Sequence, residues 1–246
     1  MKKLIAANWK NNGSKEFVKD YFDYFLKYLD TKNEIIFFPP DLYIDKVNNY
    51  RNKKNFNLGG QTLNTAINNK KLTSGTSSKM YIDNGCSYIL IGHSEVREIT
   101  TGKYIKNSLQ KSDGLQVIFC VGENQEFKNN ASIKIYEQLT DLYSNDNLLH
   151  YSETKKIIVA YEPIWAIGTG ETPKLDDIAY IHESIKTNIS ENLPFFKEKD
   201  IIVIYGGSVD LKNAKDILAT PNVDGILIGG ASLNVKEFTT ICNLKI

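Results

Sequence analysis

Eight short apolar runs recur along the chain at intervals of about 30 residues, the length of one strand–helix unit. They are Leu4 to Ala7, Ile35 to Phe38, Phe56 to Gly60, Tyr88 to Ile91, Gln116 to Val121, Ile157 to Tyr161, Ile201 to Tyr205 and Gly225 to Ile228. Most are continuous rather than alternating and rich in Ile and Val. That is the pattern of strands covered on both faces, as in a parallel sheet. Several of the polar segments between them have helical period. Phe17, Val18, Tyr21, Phe22, Phe25, Leu26 and Leu29 follow Ser14, a residue suited to an N-cap. Ile178, Ile181, Ile185 and Ile189 repeat in the same way after Asp176 and Asp177, acids suited to a helix N-terminus. Asp210 precedes a further helical segment, Ala214 to Leu218. Strands alternating with helices, without a linker or low-complexity stretch, predict an α/β chain folded as a single (β/α)8 barrel domain over residues 1–246. An open doubly wound sheet is the competing solution. It calls for a glycine fingerprint after the first strand, and Asn8-Trp9-Lys10-Asn11-Asn12-Gly13 is not one.

Charge narrows the function. Thirty basic residues against 29 acidic ones leave a net charge of +1, without the excess of a nucleic-acid partner. Any affinity for anions must therefore be local. Cys86, Cys120 and Cys242 are odd in number and widely spaced, and read as buried, reduced thiols. Met1-Lys2-Lys3 leads into an apolar run too short for a signal peptide, and no stretch reaches the ~20 apolar residues of a membrane span. The expectation is a cytoplasmic protein that binds neither membrane nor nucleic acid.

In such barrels the chemistry sits at the C-terminal ends of the strands. There the runs end in Asn8 and Lys10, in Gly92-His93-Ser94-Glu95, in Glu162-Pro163, in Gly206-Gly207-Ser208 and in Gly229-Gly230-Ala231-Ser232. Each alone is weak; their shared position is the signal. Glu162 is followed by Pro163, which stiffens the strand exit, and by Trp165, a costly residue for an ordinary connector. Ala166 to Gly170 then offers small residues and two glycines, a composition suited to a closing lid. A carboxylate at the hinge of that lid is a candidate general base. His93 stands where a helix should begin, a place that disfavours positive charge and suits a neutral imidazole that relays protons. His150 and His182 lie in polar helical segments and read as surface residues. Lys10 taken alone would be a solvated lysine, and the glycine pairs taken alone would be turns. Loops after strands seven and eight are nevertheless a common phosphate site in barrels, held by backbone N–H groups. No metal-ligand spacing, GxSxG elbow or P-loop lysine is present.

These residues, with Ala7-Asn8-Trp9-Lys10, Ile91 to Glu95, Cys120 to Glu123, Tyr161 to Gly170, Tyr205 to Val209 and Gly225 to Ser232, resemble the triosephosphate isomerase family along essentially the whole chain. The family's catalytic base, histidine and closing loop are a worked example of pKa tuning and lid gating. The resemblance implies interconversion of dihydroxyacetone phosphate and D-glyceraldehyde 3-phosphate, without metal or organic cofactor, by a homodimer. It implies that Glu162 moves the substrate proton, that His93 shuttles protons between the oxygens, and that Lys10 and Asn8 stabilise the enediolate. Glu95 would be the accessory carboxylate near Lys10. Gly168, Ser208, Gly229 and Gly230 would hold the phosphate, under a lid running from Pro163 through Trp165 to Gly170.

The chain departs from the family pattern beside the dimer contact. Ser74-Gly75-Thr76 stands for Thr-Gly-Glu, Val96 for the first arginine of Glu-Arg-Arg, Thr100-Thr101-Gly102 for Phe-Gly-Glu, and Gly60-Gln61-Thr62 for Ala-Gln-Asn. Losing an acid and an arginine together is less harmful than orphaning one of them. Two other functions compete with the isomerase. A sugar-phosphate epimerase would want two acidic catalysts, and an aldolase would want a strand-end lysine for a Schiff base, where Lys10 sits beside Asn8. A catalytically silent binding protein would be expected to have lost Glu162 or His93, and both remain.

Overall fold

The computed structural model describes residues 2–64, 75–143 and 156–246. The parallel strands β1 (Leu4–Asn8), β2 (Glu34–Phe38), β3 (Asn57–Gly60), β4 (Tyr88–Ile91), β5 (Gln116–Val121), β6 (Ile157–Tyr161), β7 (Ile201–Tyr205) and β8 (Gly225–Ile228) pair in chain order and close into a barrel. The seam is β1 on β8, with Leu4 opposite Gly225 and Ala7 opposite Ile228. Around it run α1 (Lys15–Tyr28), α2 (Ile44–Arg51), α3 (Ser78–Asp83), α4 (Ser94–Ile99), α5 (Gly102–Gln110), α6 (Ala131–Leu139), α7 (Leu175–Asn192), α8 (Ala214–Ala219) and α9 (Val235–Cys242). The (β/α)8 expectation holds, and the eight runs became the eight strands with ends shifted by one residue at most. One shift has a consequence: β1 carries Asn8 into the ladder opposite Phe38, fixing its side chain at the barrel mouth.

The two-sided burial read from the continuous runs has a simple origin. Alternate strand residues form two separate cores. Leu4, Ala6, Ile36, Phe38, Leu90, Ile118, Cys120, Ile158, Ala160, Ile204 and Leu227 fill the barrel interior. Their neighbours Ile5, Phe37, Ile89, Val117, Val159 and Val203 point outward and join the core shared with the helices. On α1, Ser14 accepts the Phe17 N–H at 2.9 Å, and Val18, Tyr21, Phe22 and Phe25 are buried. Phe22 and Phe25 meet Phe37 of β2 edge-on, at 5.2 and 5.1 Å between centroids. Each such aromatic contributes roughly 1.5–3 kcal/mol of hydrophobic stabilisation. All three cysteines are free and buried, as the sequence predicts.

One expectation fails. His182 is fully buried, where the sequence assigned it to the surface. The reason is the width of the stripe on α7: His182 follows Ile181 and lies one turn beyond Ile178, and both are buried with Ile185 and Ile189. Its Nδ1 is 3.2 Å from the Asn222 carbonyl, and its ring meets Tyr161 edge-on at 5.9 Å. His150 lies outside the described residues.

Burial has a measurable consequence. It holds the His182 pKa down to about 3, well below the ordinary imidazole value of 6.5. The unfolded chain therefore takes up a proton that the folded chain refuses, so stability is complete above 6.5 and falls as the pH drops toward 3. Between pH 7 and pH 5 this one group should cost ~2 kcal/mol. Urea unfolding at both pH values should show a smaller loss for His182→Gln, whatever its absolute stability. An identical pH slope in variant and parent would refute the assignment.

Candidate active site

The strand ends of the sequence reading converge on one mouth of the barrel. After β1 the chain turns through Lys10 at φ 50°, a left-handed conformation that a lysine adopts only under constraint. That constraint is visible. The Asn8 Oδ1 accepts the Lys10 N–H at 3.0 Å, and Gln61 Nε2 donates to the carbonyls of Lys10 and Phe38, both at 2.8 Å. The backbone held this way sends the Lys10 ammonium to Glu95, 2.6 Å away. Both partners are part-exposed, so the pair adds little to stability and serves mainly to place the ammonium.

His93 is the N-cap of α4, and its Nδ1 faces the Glu95 N–H at 3.4 Å. The preceding Gly92 takes φ 79°. Arg97 fastens this turn from behind, donating to Gly92 O at 2.7 Å and to Cys120 O at 3.0 Å. Its burial lowers the guanidinium pKa, which the neighbouring Cys120, Asp141 and Glu162 partly offset. Nδ1 as acceptor leaves the ring proton on Nε2, the nitrogen turned toward Glu162.

Glu162 is 1% exposed. Its Oε2 accepts the Ser94 N–H at 2.9 Å, while Oε1 makes no hydrogen bond and lies 3.4 Å from His93 Nε2. The carboxyl thus sits behind the histidine, outside the lining of the neighbouring cavity. In front of it lies a cavity of about 290 Å³ walled by Asn8, Lys10 and His93, by Gly168 and Gly170 of the loop after β6, and by Ser208, Gly229 and Gly230. Gly168 and Gly230 have open space where a Cβ would stand, so a ligand can approach their backbone. Ser208 donates its hydroxyl to Ala166 O at 2.5 Å, tying the turn after β7 to the loop after β6.

The family model that matches the chain, over residues 3–245, is described as Triosephosphate isomerase. The chain is 34% identical to the triosephosphate isomerase of Shewanella pealeana, over 98% of its own length and 96% of the relative's. It is 33% identical to that of Shewanella halifaxensis, with the same coverage. The chain belongs to the triosephosphate isomerase family. It is an isomerase, as the expected fold and motifs had it.

Within this family member the expected residues do not all share one wall. Glu162 stands outside the lining of the cavity, behind His93, and Glu95 is outside it too, touching its walls at Lys10 and His93. Trp165 faces away. Its indole N–H donates to Glu123 Oε1 at 2.8 Å, and the Lys128 ammonium lies 3.6 Å over its ring. It lines a separate cavity of about 760 Å³, which contains none of Lys10, His93 or Gly229. Volume alone does not select a site; the convergent polar groups make the smaller cavity the candidate. Pro163 follows Glu162 directly, and the Cβ that Gly207 lacks would meet its ring at 3.2 Å.

Sequence reasoning gave no role to Glu123, Gln61 or Arg97. Glu123 is 1% exposed and accepts from both Trp165 and Tyr161. Burial raises its pKa, and the Trp165 hydrogen bond opposes that rise. A signal existed: Glu123 is an acid just past an apolar run, as Glu162 is.

Proposed function

We propose that this isomerase interconverts dihydroxyacetone phosphate and D-glyceraldehyde 3-phosphate, the glycolytic triose phosphates, through an enediolate. Glu162 rotates away from Ser94, removes a proton from one carbon and returns it to the next. The His93 Nε2–H gives its proton to the carbonyl oxygen and recovers one from the neighbouring hydroxyl. Lys10 and Asn8 stabilise the oxyanion, with Glu95 steering the ammonium, and the backbone N–H groups of Gly168, Ser208, Gly229 and Gly230 hold the phosphate. Closure of the lid from Pro163 to Gly170 keeps water out, with Trp165 as its hinge anchor. The observation that carries this reading is that one cavity of about 290 Å³ holds Lys10, His93 and the glycine cradle together, with the Glu162 carboxyl 3.4 Å behind His93.

We also propose a homodimer in the cytoplasm. Leu42, Met80 and Ile99 are large apolar side chains at 88%, 57% and 83% exposure, which a second copy would cover. Asp41 accepts from Thr76 at 2.5 Å and from Tyr81 at 2.8 Å, so a neutral donor occupies the place where the family carries an acid. The free cysteines fit a reducing compartment.

A coupled assay on purified protein with D-glyceraldehyde 3-phosphate should show turnover that phosphoglycolate, a phosphate-bearing enediolate mimic, inhibits competitively. The same preparation should sediment as a dimer at micromolar concentration. Absence of turnover would remove the substrate assignment, and a turning-over monomer would remove the assembly.

A further inference from the structure

The segments after β5 and β6 and the starts of α6 and α7 enclose the cavity of about 760 Å³ beside Trp165, a volume that suits a small organic ligand. Glu123 is one of its wall residues and is buried. Its Oε1 takes donors from Trp165 at 2.8 Å and Tyr161 at 3.2 Å, but Oε2 is buried without a hydrogen bond. A buried carboxylate oxygen that lacks a donor is costly to keep. Burial raises the Glu123 pKa, and the Trp165 and Tyr161 hydrogen bonds and the Lys128 charge pull it back. The place calls for positive charge.

The chain already puts one cation there. The Lys128 ammonium lies 3.6 Å over the Trp165 ring, on the face that an aromatic ring offers to a positive charge. Lys128 is exposed and has no ion-pair partner among the described residues, so a ligand displaces it at small cost. Glu123, Glu171 and Asp177 line the cavity against Lys128 and Lys174, which leaves acid in excess. The start of α7 is reason enough for Asp177, because acids suit a helix N-terminus. It does not explain Glu123, which follows β5 and belongs to no helix. Nor is this a metal centre: among the described residues no three His, Cys, Asp or Glu side chains gather to hold one. The rest of the wall is largely apolar and aromatic, and it includes the exposed side chains of Ile133 on α6 and Tyr180 on α7. Exposed apolar groups beside a cavity give the body of a ligand somewhere to rest.

We infer that this cavity binds a small organic amine, an ammonium group carried on an aromatic or aliphatic body. The ammonium takes the place of Lys128 over Trp165, beside the Glu123 carboxylate, and the body packs on Tyr180 and Ile133. The loop after β6 is a wall of both cavities, with Trp165 lining this one and Gly168 and Gly170 the other. The amine site therefore adjoins the candidate active site without sharing its polar groups, and its occupancy does not depend on the reaction proposed above.

The test is calorimetric titration of the intact protein with 2-phenylethylamine, with 2-phenylethanol and phenylacetate as its neutral and anionic counterparts. Expected is saturable binding of the amine, at least ~10-fold tighter than that of either counterpart, with a change in Trp165 fluorescence. Trp9, the other tryptophan, is fully buried against Phe17, Tyr21 and Phe37 and should stay silent. Two variants locate the site. Lys128→Ala vacates the Trp165 face and should bind the amine at least ~3-fold more tightly. Glu123→Gln keeps an acceptor for the Trp165 N–H and should bind it at least ~10-fold more weakly. Lys128 is exposed, so its variant should fold and keeps the test decisive even where Glu123→Gln does not. No binding at millimolar concentration, equal binding of the alcohol or the acid, an affinity not raised in Lys128→Ala, or full affinity in Glu123→Gln would overturn the inference.

Discussion

Glu162→Gln should lower turnover by ~10²- to 10⁴-fold while leaving the protein at least as stable as its parent. The two halves of that expectation come from the same geometry. Gln keeps the length of the side chain and an acceptor for the Ser94 N–H, now 2.9 Å from Oε2. It cannot take up a substrate proton. The parent side chain is 1% exposed, and its Oε1 makes no hydrogen bond. An arrangement like that is poor for folding and useful for chemistry, because a group left unsatisfied in the resting protein is free to rotate toward a ligand. Removing the acid should therefore leave the urea midpoint unchanged or raise it, by up to ~1 kcal/mol in stability. KM should change far less than kcat, since the lost interaction is made only as the proton moves. Near-parental kcat would sink the role given to Glu162. A fall in kcat matched by a collapse in stability would show instead that the carboxyl is a structural prop.

The strands were legible because each run is sealed twice, by the barrel interior on one side and by helices on the other. Burial on both faces leaves an unmistakable composition. His182 was misread because it is a polar side chain within an apolar stripe, and sequence cannot show that the stripe on α7 is wide enough to include it. The candidate site was legible as a set of strand ends, since Asn8, His93, Glu162 and the glycine turns all follow apolar runs. What supports them was not. Lys10 adopts φ 50° because Gln61, some 50 residues away in sequence, holds its carbonyl. Trp165 was assigned to the lid, yet the residues that grip it are Glu123 and Lys128, from the segment after β5. Contacts made across strand ends depend on the order in which the barrel closes, and no local pattern encodes them.

Gly122→Ala should be the most damaging single-methyl change in the molecule, costing ~3 kcal/mol or more in stability. A Cβ on Gly122 would stand 1.7 Å from the Glu162 carbonyl oxygen and 2.6 Å from its carbonyl carbon. Backbone, unlike the end of a side chain, cannot step aside without moving a strand. Nor can Gly122 retreat, because the Gln138 amide grips its N–H and C=O, both at 2.8 Å. On the other side, Glu162 N–H is held to Val121 O at 2.7 Å. The methyl must therefore pry β5 from β6 at the residue proposed as the base. A displacement of ~1 Å at a reacting group can cost ~10²-fold in rate. Whatever Gly122→Ala protein folds should consequently be slow as well as unstable. Gly102→Ala, in the first turn of α5, is the control: nothing lies within 4 Å of its Cβ position. That change should stabilise by ~0.5 kcal/mol through the unfolded chain and leave kcat alone. Urea titrations and steady-state assays of the two variants side by side decide the matter. Equal midpoints would mean that the strands yield to the methyl, and that the position of Glu162 does not depend on their close approach.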